Sequence, residues 1–277
     1  MAIVYATKSG VWSDPTVWST GILPTSADDV YTNAFTVSID QSISVKSLKK
    51  IANASPVIAT GGSFLVTASS TITISDGIVA ADNAANNTAV LTLSTASVTV
   101  TVNANGEGGA STARNAIRVT AAATLTVNGN LTGGSGGTAS ALNITGGATV
   151  VVNGAVTGGG AIGNAYGITA ISASAQVAVN GSVTGGLSTS HGISMGDGKL
   201  RLNADLRWSA TGCAPVQSAV NPPVFDRGGS SLAVTAASDD NWPLLTGSNI
   251  SLTEGGGGEP VDPKRFLRVA GAWVPIQ

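Results

Sequence analysis

The side chains able to do acid, base or nucleophilic chemistry are few and widely spaced. The chain of 277 residues has one histidine and one cysteine, and Asp and Glu together number 15. Between Val100 and Lys199 the only carboxylates are Glu107 and Asp197. Glycoside hydrolysis needs two carboxyl groups flanking one bond. A lyase needs a placed base and a cation to hold the developing anion. Wound into coils of the repeat length found in this chain, Glu107 and Asp197 stand at least three coils apart, roughly 15 Å along the axis. Asp197 sits in Gly196-Asp197-Gly198, which reads as a turn, and Asp205 and Asp226 lack an aromatic cleft signature. The densest acidic-aromatic cluster, Asp239-Asp240-Asn241-Trp242, reads as a turn with an end-packing indole. His191 lies in Ser190-His191-Gly192, and no G-x-S-x-G elbow accompanies it. Three copies of His191 around a trimer axis are the one route to a histidine metal site. P-loop, dinucleotide and EF-hand patterns are missing. The expectation is a protein that is not an enzyme and takes no cofactor or metal.

Recognition without cleavage asks less: an aromatic platform with amide and hydroxyl partners. Tyr166 and Trp208, with Arg207 and Arg201 near the latter, are the candidate ligand-binding side chains in the repeat region.

Those residues hang on a repeat. LTVNGNLTGG from Leu125, VVVNGAVTGG from Val150 and VAVNGSVTGG from Val177 are copies, with worn versions starting at Val100 and Leu200. The shared asparagines are Asn103, Asn128, Asn153, Asn180 and Asn203, spaced by 25, 25, 27 and 23. A fixed period of this size marks stacked units. Within each copy apolar and polar residues alternate, the period of a strand. A second short strand follows the Asn-Gly corner at Leu131, Val156 and Val183, and a third precedes each copy at Ile117, Leu142, Ile168 and Ile193. Three strands and three corners per repeat predict an all-β fold, a right-handed parallel β-helix (β-solenoid) of about 25 residues per coil. The asparagines then form a structural ladder of side-chain amides. Glycine follows them where a sharp corner requires positive φ. The competing architecture is a β-sandwich or jelly roll; phase-matched corners favour the solenoid. Lengths after each Gly-Gly pair vary, which places insertions on one side of the rod.

Charged residues make up only 10% of the chain and aromatics 4%, with a net charge of −2. A surface of hydroxyls and amides is typical of extracellular or virion β-structure. Neither nucleic acid nor an anionic membrane is expected as a partner. Cys213 alone excludes an intrachain disulfide framework. MAIVYATKSG does not read as a secretory signal, and no run is long enough to span a bilayer.

Four segments follow: an N-terminal β cap over 1–43, repeats over 44–209, an irregular closing cap over 210–254, and a Gly-rich linker with an anchoring strand over 255–277. In that strand Phe266, Leu267, Val269 and Trp273 are the candidate anchor, suited to adding to a neighbour's sheet edge. The pattern WSDPxxW…G…P…DDV, carried by Trp12, Ser13, Asp14, Pro15, Trp18, Pro24, Asp28 and Asp29, resembles the N-terminal motif of many bacteriophage tail-associated and adhesin-like β-helical proteins. RVAGAWV near the end resembles the short RVxGxWV endings of phage tail proteins. The resemblance implies a bacteriophage tail or virion structural protein: a tail fibre, spike-like or head-decoration component assembled in the host cytoplasm. It also implies a homo-oligomer, a trimer before other states, with other virion proteins and a host cell-surface glycan as contacts. A glycan- or receptor-binding adhesin and a polysaccharide-cleaving tailspike are the alternatives. Trp12 and Trp18 are expected to pack over the first coil, with sugar stacking as their other use.

Overall fold

Alternation in each repeat becomes strands because every second side chain faces one interior. The computed structural model describes residues 2–79, 89–109, 115–135, 139–160, 165–172, 174–187 and 190–195; beyond these it describes the strands of 199–202, 206–207, 216–218, 224–226, 232–236, 250–254, 267–269 and 272–274. Each repeat supplies three strands, one to each of three faces. On the long face, Thr99–Asn103, Thr124–Val127, Thr149–Val152, Gln176–Val179 and Lys199–Leu202 pair in parallel. On the short face, Gly106–Glu107, Leu131–Thr132, Val156–Thr157, Val183–Thr184 and Leu206–Arg207 do the same. The third face is a nine-stranded parallel sheet running in chain order from Gly10–Val11 to Val216–Ser218. The chain is therefore a parallel β-helix, with about six turns in the repeat region.

Register stacks like on like. Leu125 sits between Val100 and Val150, and Leu142 between Ile117 and Ile168. Of Val100, Val102, Leu125, Val127, Val150, Val152, Val177 and Val179, none is more than 2% exposed. Each such side chain contributes roughly 1.5–3 kcal/mol by leaving water. Those columns form the inside of one apolar tube.

The first 43 residues are not set apart from the coils. Ile3–Tyr5 and Asp29–Tyr31 pair in parallel with each other and with Ile43–Lys49. Gly10–Val11 and Thr36–Ile39 lead the third face. The tube's first coils are filled with aromatic side chains. Trp12 and Trp18 pack edge to face at 4.7 Å, and Trp12 meets Phe64 at 5.9 Å, all within the apolar cluster. Both indoles are buried, so they are unavailable for sugar stacking. In these early coils one strand runs through two faces. Ile43–Lys49 shifts register between Val45 and Ser47, and Ser70–Val79 bends at Gly77 with φ +100°.

The far end also departs from expectation. Val216–Ser218, Val224–Asp226 and Leu232–Ala236 lie within the segment expected to be irregular, yet they pair in parallel with the last coils. Ile250–Glu254 adds to Leu232–Ala236. Pairing along the axis needs only extended backbone, which tolerates the loss of the repeated residue types. The expected tethered strand is instead two, Leu267–Val269 and Ala272–Val274, antiparallel to each other.

Candidate functional site

Where the chain leaves the long face, the asparagines stack as expected. Nδ2 of Asn128 donates to Oδ1 of Asn103 at 2.7 Å, Asn153 to Asn128 at 2.7 Å, and Asn180 to Asn153 at 2.6 Å. Asn103 continues the file by donating to Oγ1 of Thr73 at 3.2 Å. Asn203 lies outside the described residues. A second column went unread in the sequence: Oδ1 of Asn105 and of Asn130 accept from the backbone N–H of Asn130 and Ala155, each at 2.8 Å. Its signal was the same 25-residue interval.

The glycines of this corner have a different cause from the one expected. Gly129, Gly154 and Gly181 are not among the described residues with positive φ. A Cβ on Gly129 would fall 1.9 Å from the Ala104 carbonyl oxygen, and on Gly154 or Gly181 2.2 Å from the carbonyl of the glycine one coil back. Close approach of one coil to the next, not backbone torsion, demands glycine there.

The corner between the short and third faces is where coils differ. Each insertion is pinched at its base by one backbone bond: Gly134 N–H to Ala139 C=O at 2.8 Å, Gly159 to Ala165 at 2.7 Å, and Gly186 to Ser190 at 2.6 Å. The residue just past each pinch starts the approach to the third face. These residues are Ser140, Tyr166 and His191 in successive coils. The register of Ile168 with Ile193 places Tyr166 beside His191, and their rings stack with centroids 5.8 Å apart and planes 19° from parallel. Both are half-buried. Sequence reasoning had grouped Tyr166 with Trp208 and Arg207. Its ring partner is His191, and the interval of 25 was the available signal. Trp208, Cys213 and Phe266 lie outside the described residues. Arg207 pairs by backbone with Thr184, while Leu267, Val269 and Trp273 lie in the C-terminal pair of strands.

Beside that corner, the outward residues of five successive third-face strands form a polar row. Thr92, Arg118, Asn143, Thr169 and Ser194 are in register one above another. Ser140 joins the row through a hydroxyl contact with Thr169 at 2.6 Å, and its N–H donates to Asn115 Oδ1 at 3.0 Å. The row offers hydroxyl, amide and guanidinium groups, with two aromatic rings at its flank.

The other polar centre lies in the first coils. Asp29 is buried, accepts from the Ser47 hydroxyl and pairs with Lys49 at 3.1 Å and Lys46 at 3.6 Å. Burial pushes its carboxyl up, but the Ser47 hydrogen bond and the two ammonium groups together hold it below the ordinary range. Lys46 also meets Asp76 at 3.1 Å, whose hydrogen bond raises its pKa. Asp28 closes the turn before it, accepting from the Thr25 N–H at 2.8 Å and hydroxyl at 2.7 Å. Asp14 caps the short 3-10 helix Pro15–Val17 through the Thr16 N–H at 2.9 Å, and Ser13 binds Asp40 of the following coil. The acidic residues of the N-terminal motif therefore tie turns and rungs together. Among the described residues no group of three or more His, Cys, Asp or Glu could hold a metal. No protein-family model matches the chain, and no curated protein or solved structure is significantly similar to it.

Proposed function

We propose that the chain is a non-enzymatic structural component of a bacteriophage virion, a stiff rod exposed on the particle as a tail fibre, spike-like or head-decoration element. The observation that carries this reading is the unbroken file of paired strands. Nine rungs on one face make a rod roughly 40 Å long at the spacing of paired strands. The described outward residues of its middle strands are mostly Thr, Asn and Ser, with little charge. The resemblance of the N-terminal motif and of the RVAGAWV ending to phage tail proteins supplies the particle. The rod assembles as a homo-oligomer, a trimer before other states, and its C-terminal strand pair joins it to its neighbours. A two-stranded sheet alone is marginal in water, so docking on another surface suits it. Deleting residues 265–277 tests the anchor: particles assembled with the shortened chain are expected to lack it, and normal incorporation would sink the anchoring role.

A second reading, a glycan- or receptor-binding adhesin, is favoured by one observation: the Tyr166–His191 ring pair beside a row of outward hydroxyl and amide groups. Binding on a glycan array that disappears with Tyr166→Ala is its expected result.

A further inference from the structure

We propose that the row of outward residues on the third face is a binding track for an extended acidic glycan, with Arg118 as the anchor for its carboxylate. This inference rests on the ligand-binding reading and names the ligand class and the residue that selects it.

Arg118 stands out for what surrounds it. Its Nε is buried without any hydrogen-bond partner, while the side chain as a whole is half-buried. A buried donor left unsatisfied is costly, the more so on a charged group. The fold could place a hydroxyl or amide here, as it does at Thr92 and Asn143 on the coils either side. Instead it holds a guanidinium with a buried, unpaired Nε. An anion arriving from solvent can pair with the terminal nitrogens of this half-buried side chain and offset its charge, and a planar carboxylate fits the guanidinium edge.

The neighbours specify the rest of the ligand. Asn143, Thr169 and Ser194 follow Arg118 on successive rungs, spanning roughly 14 Å at the strand spacing. One rung rises by nearly the length of one pyranose ring in an extended chain, so each sugar meets its own hydroxyl or amide partner. Two and three coils beyond Arg118, the Tyr166 and His191 rings flank the row and give the less polar ring edges a surface. The loops that vary from coil to coil border this same corner. The arrangement suits a polymer bearing carboxylates along a chain of hydroxyls better than it suits a peptide, because the row itself presents hydroxyl, amide and guanidinium groups.

Isothermal titration of the full chain tests the proposal with three probes: an oligogalacturonate trimer, a hyaluronate tetrasaccharide and an α2,8-linked sialic acid trimer. The carboxyl-reduced oligogalacturonate serves as the neutral control. At least one acidic probe is expected to bind, and the neutral control to bind about tenfold more weakly or worse. Arg118→Gln is expected to lower affinity for that acidic probe by about tenfold, and Arg118→Lys to retain part of it. Should Arg118→Gln fail to fold, the Arg118→Lys comparison decides alone, since it keeps the charge but loses the fork. Failure of all three acidic probes overturns the proposal, as does equal affinity in the folded variants. Equal binding of the neutral control that is lost with Tyr166→Ala would overturn the role of Arg118 while keeping the ligand-binding reading.

Discussion

The first coils and the middle coils solve the same stacking problem with different chemistry. Up to Val79 the rod is held by aromatic filling, an acidic-basic network and side chains reaching from one coil to the next, such as Ser13 to Asp40. From Thr99 onward it is held by repetition: the same aliphatic residue above itself, the same amide above itself, and glycine wherever one coil touches the next. The first coils are filled by large side chains that do not recur from coil to coil. The middle coils have identical neighbours above and below, so one solution serves each of them. Stability in the first region is concentrated in a few residues; in the second it is spread thinly and evenly.

That contrast can be broken by substitution. Trp12→Ala removes the largest part of the end filling and is expected to cost about 3–5 kcal/mol, read as a lowered denaturant midpoint. Gly129→Ala in the middle coils drives a methyl into the Ala104 carbonyl and is expected to cost about 3 kcal/mol or more. Gly21→Ala, at φ +69° with open space around it, should cost only about 1 kcal/mol. If the two glycine variants melt alike, close coil contact is not what selects glycine.

Acid should separate the regions further. The Asp29 carboxyl titrates below its usual 3.8 in the fold, so its stabilisation is complete above that value and is lost as pH falls through the lower folded value. Asp29→Asn at pH 7 takes the carboxylate from Lys49 and leaves Lys46 with Asp76, with an expected loss of about 1–3 kcal/mol. Thermal melts of wild type and Asp29→Asn should converge as the pH is taken below 3.8. Parallel curves would remove the network from the account. The smallest effect belongs to the ladder: Asn128→Ala deletes two exposed amide bonds, for about 1 kcal/mol. Asn128→Asp should lose less, because it still accepts from Asn153.

Repetition is also what made one region legible and the other not. Leu125, Val150 and Val177 announce their stacking because they are alike and evenly spaced. Asn103 to Asn180 announced their ladder for the same reason. In the first coils the stacked partners differ, as with Trp12 on Phe64 or Asp29 beside Ser47, so spacing alone could not pair them and the segment read as a separate cap. The candidate site fell between these cases. Tyr166 and His191 keep the interval but change residue type, and the ring contact became visible only once the register was known. Nothing in the sequence marks Arg118, because the lack of a partner for a buried nitrogen is a property of three dimensions.

The ladder has a consequence for durability. Asn128-Gly129, Asn153-Gly154 and Asn180-Gly181 are the dipeptides most prone to age in a loose chain. The nitrogen of an unhindered glycine attacks the preceding side-chain carbonyl, forms a cyclic imide and releases ammonia. Here Asn128 and Asn153 each lend that carbonyl to the amide one coil further on, in a corner too crowded to twist into the ring. The contacts that hold the rod upright thereby slow its chemical clock, and a frayed corner would be the first to deamidate.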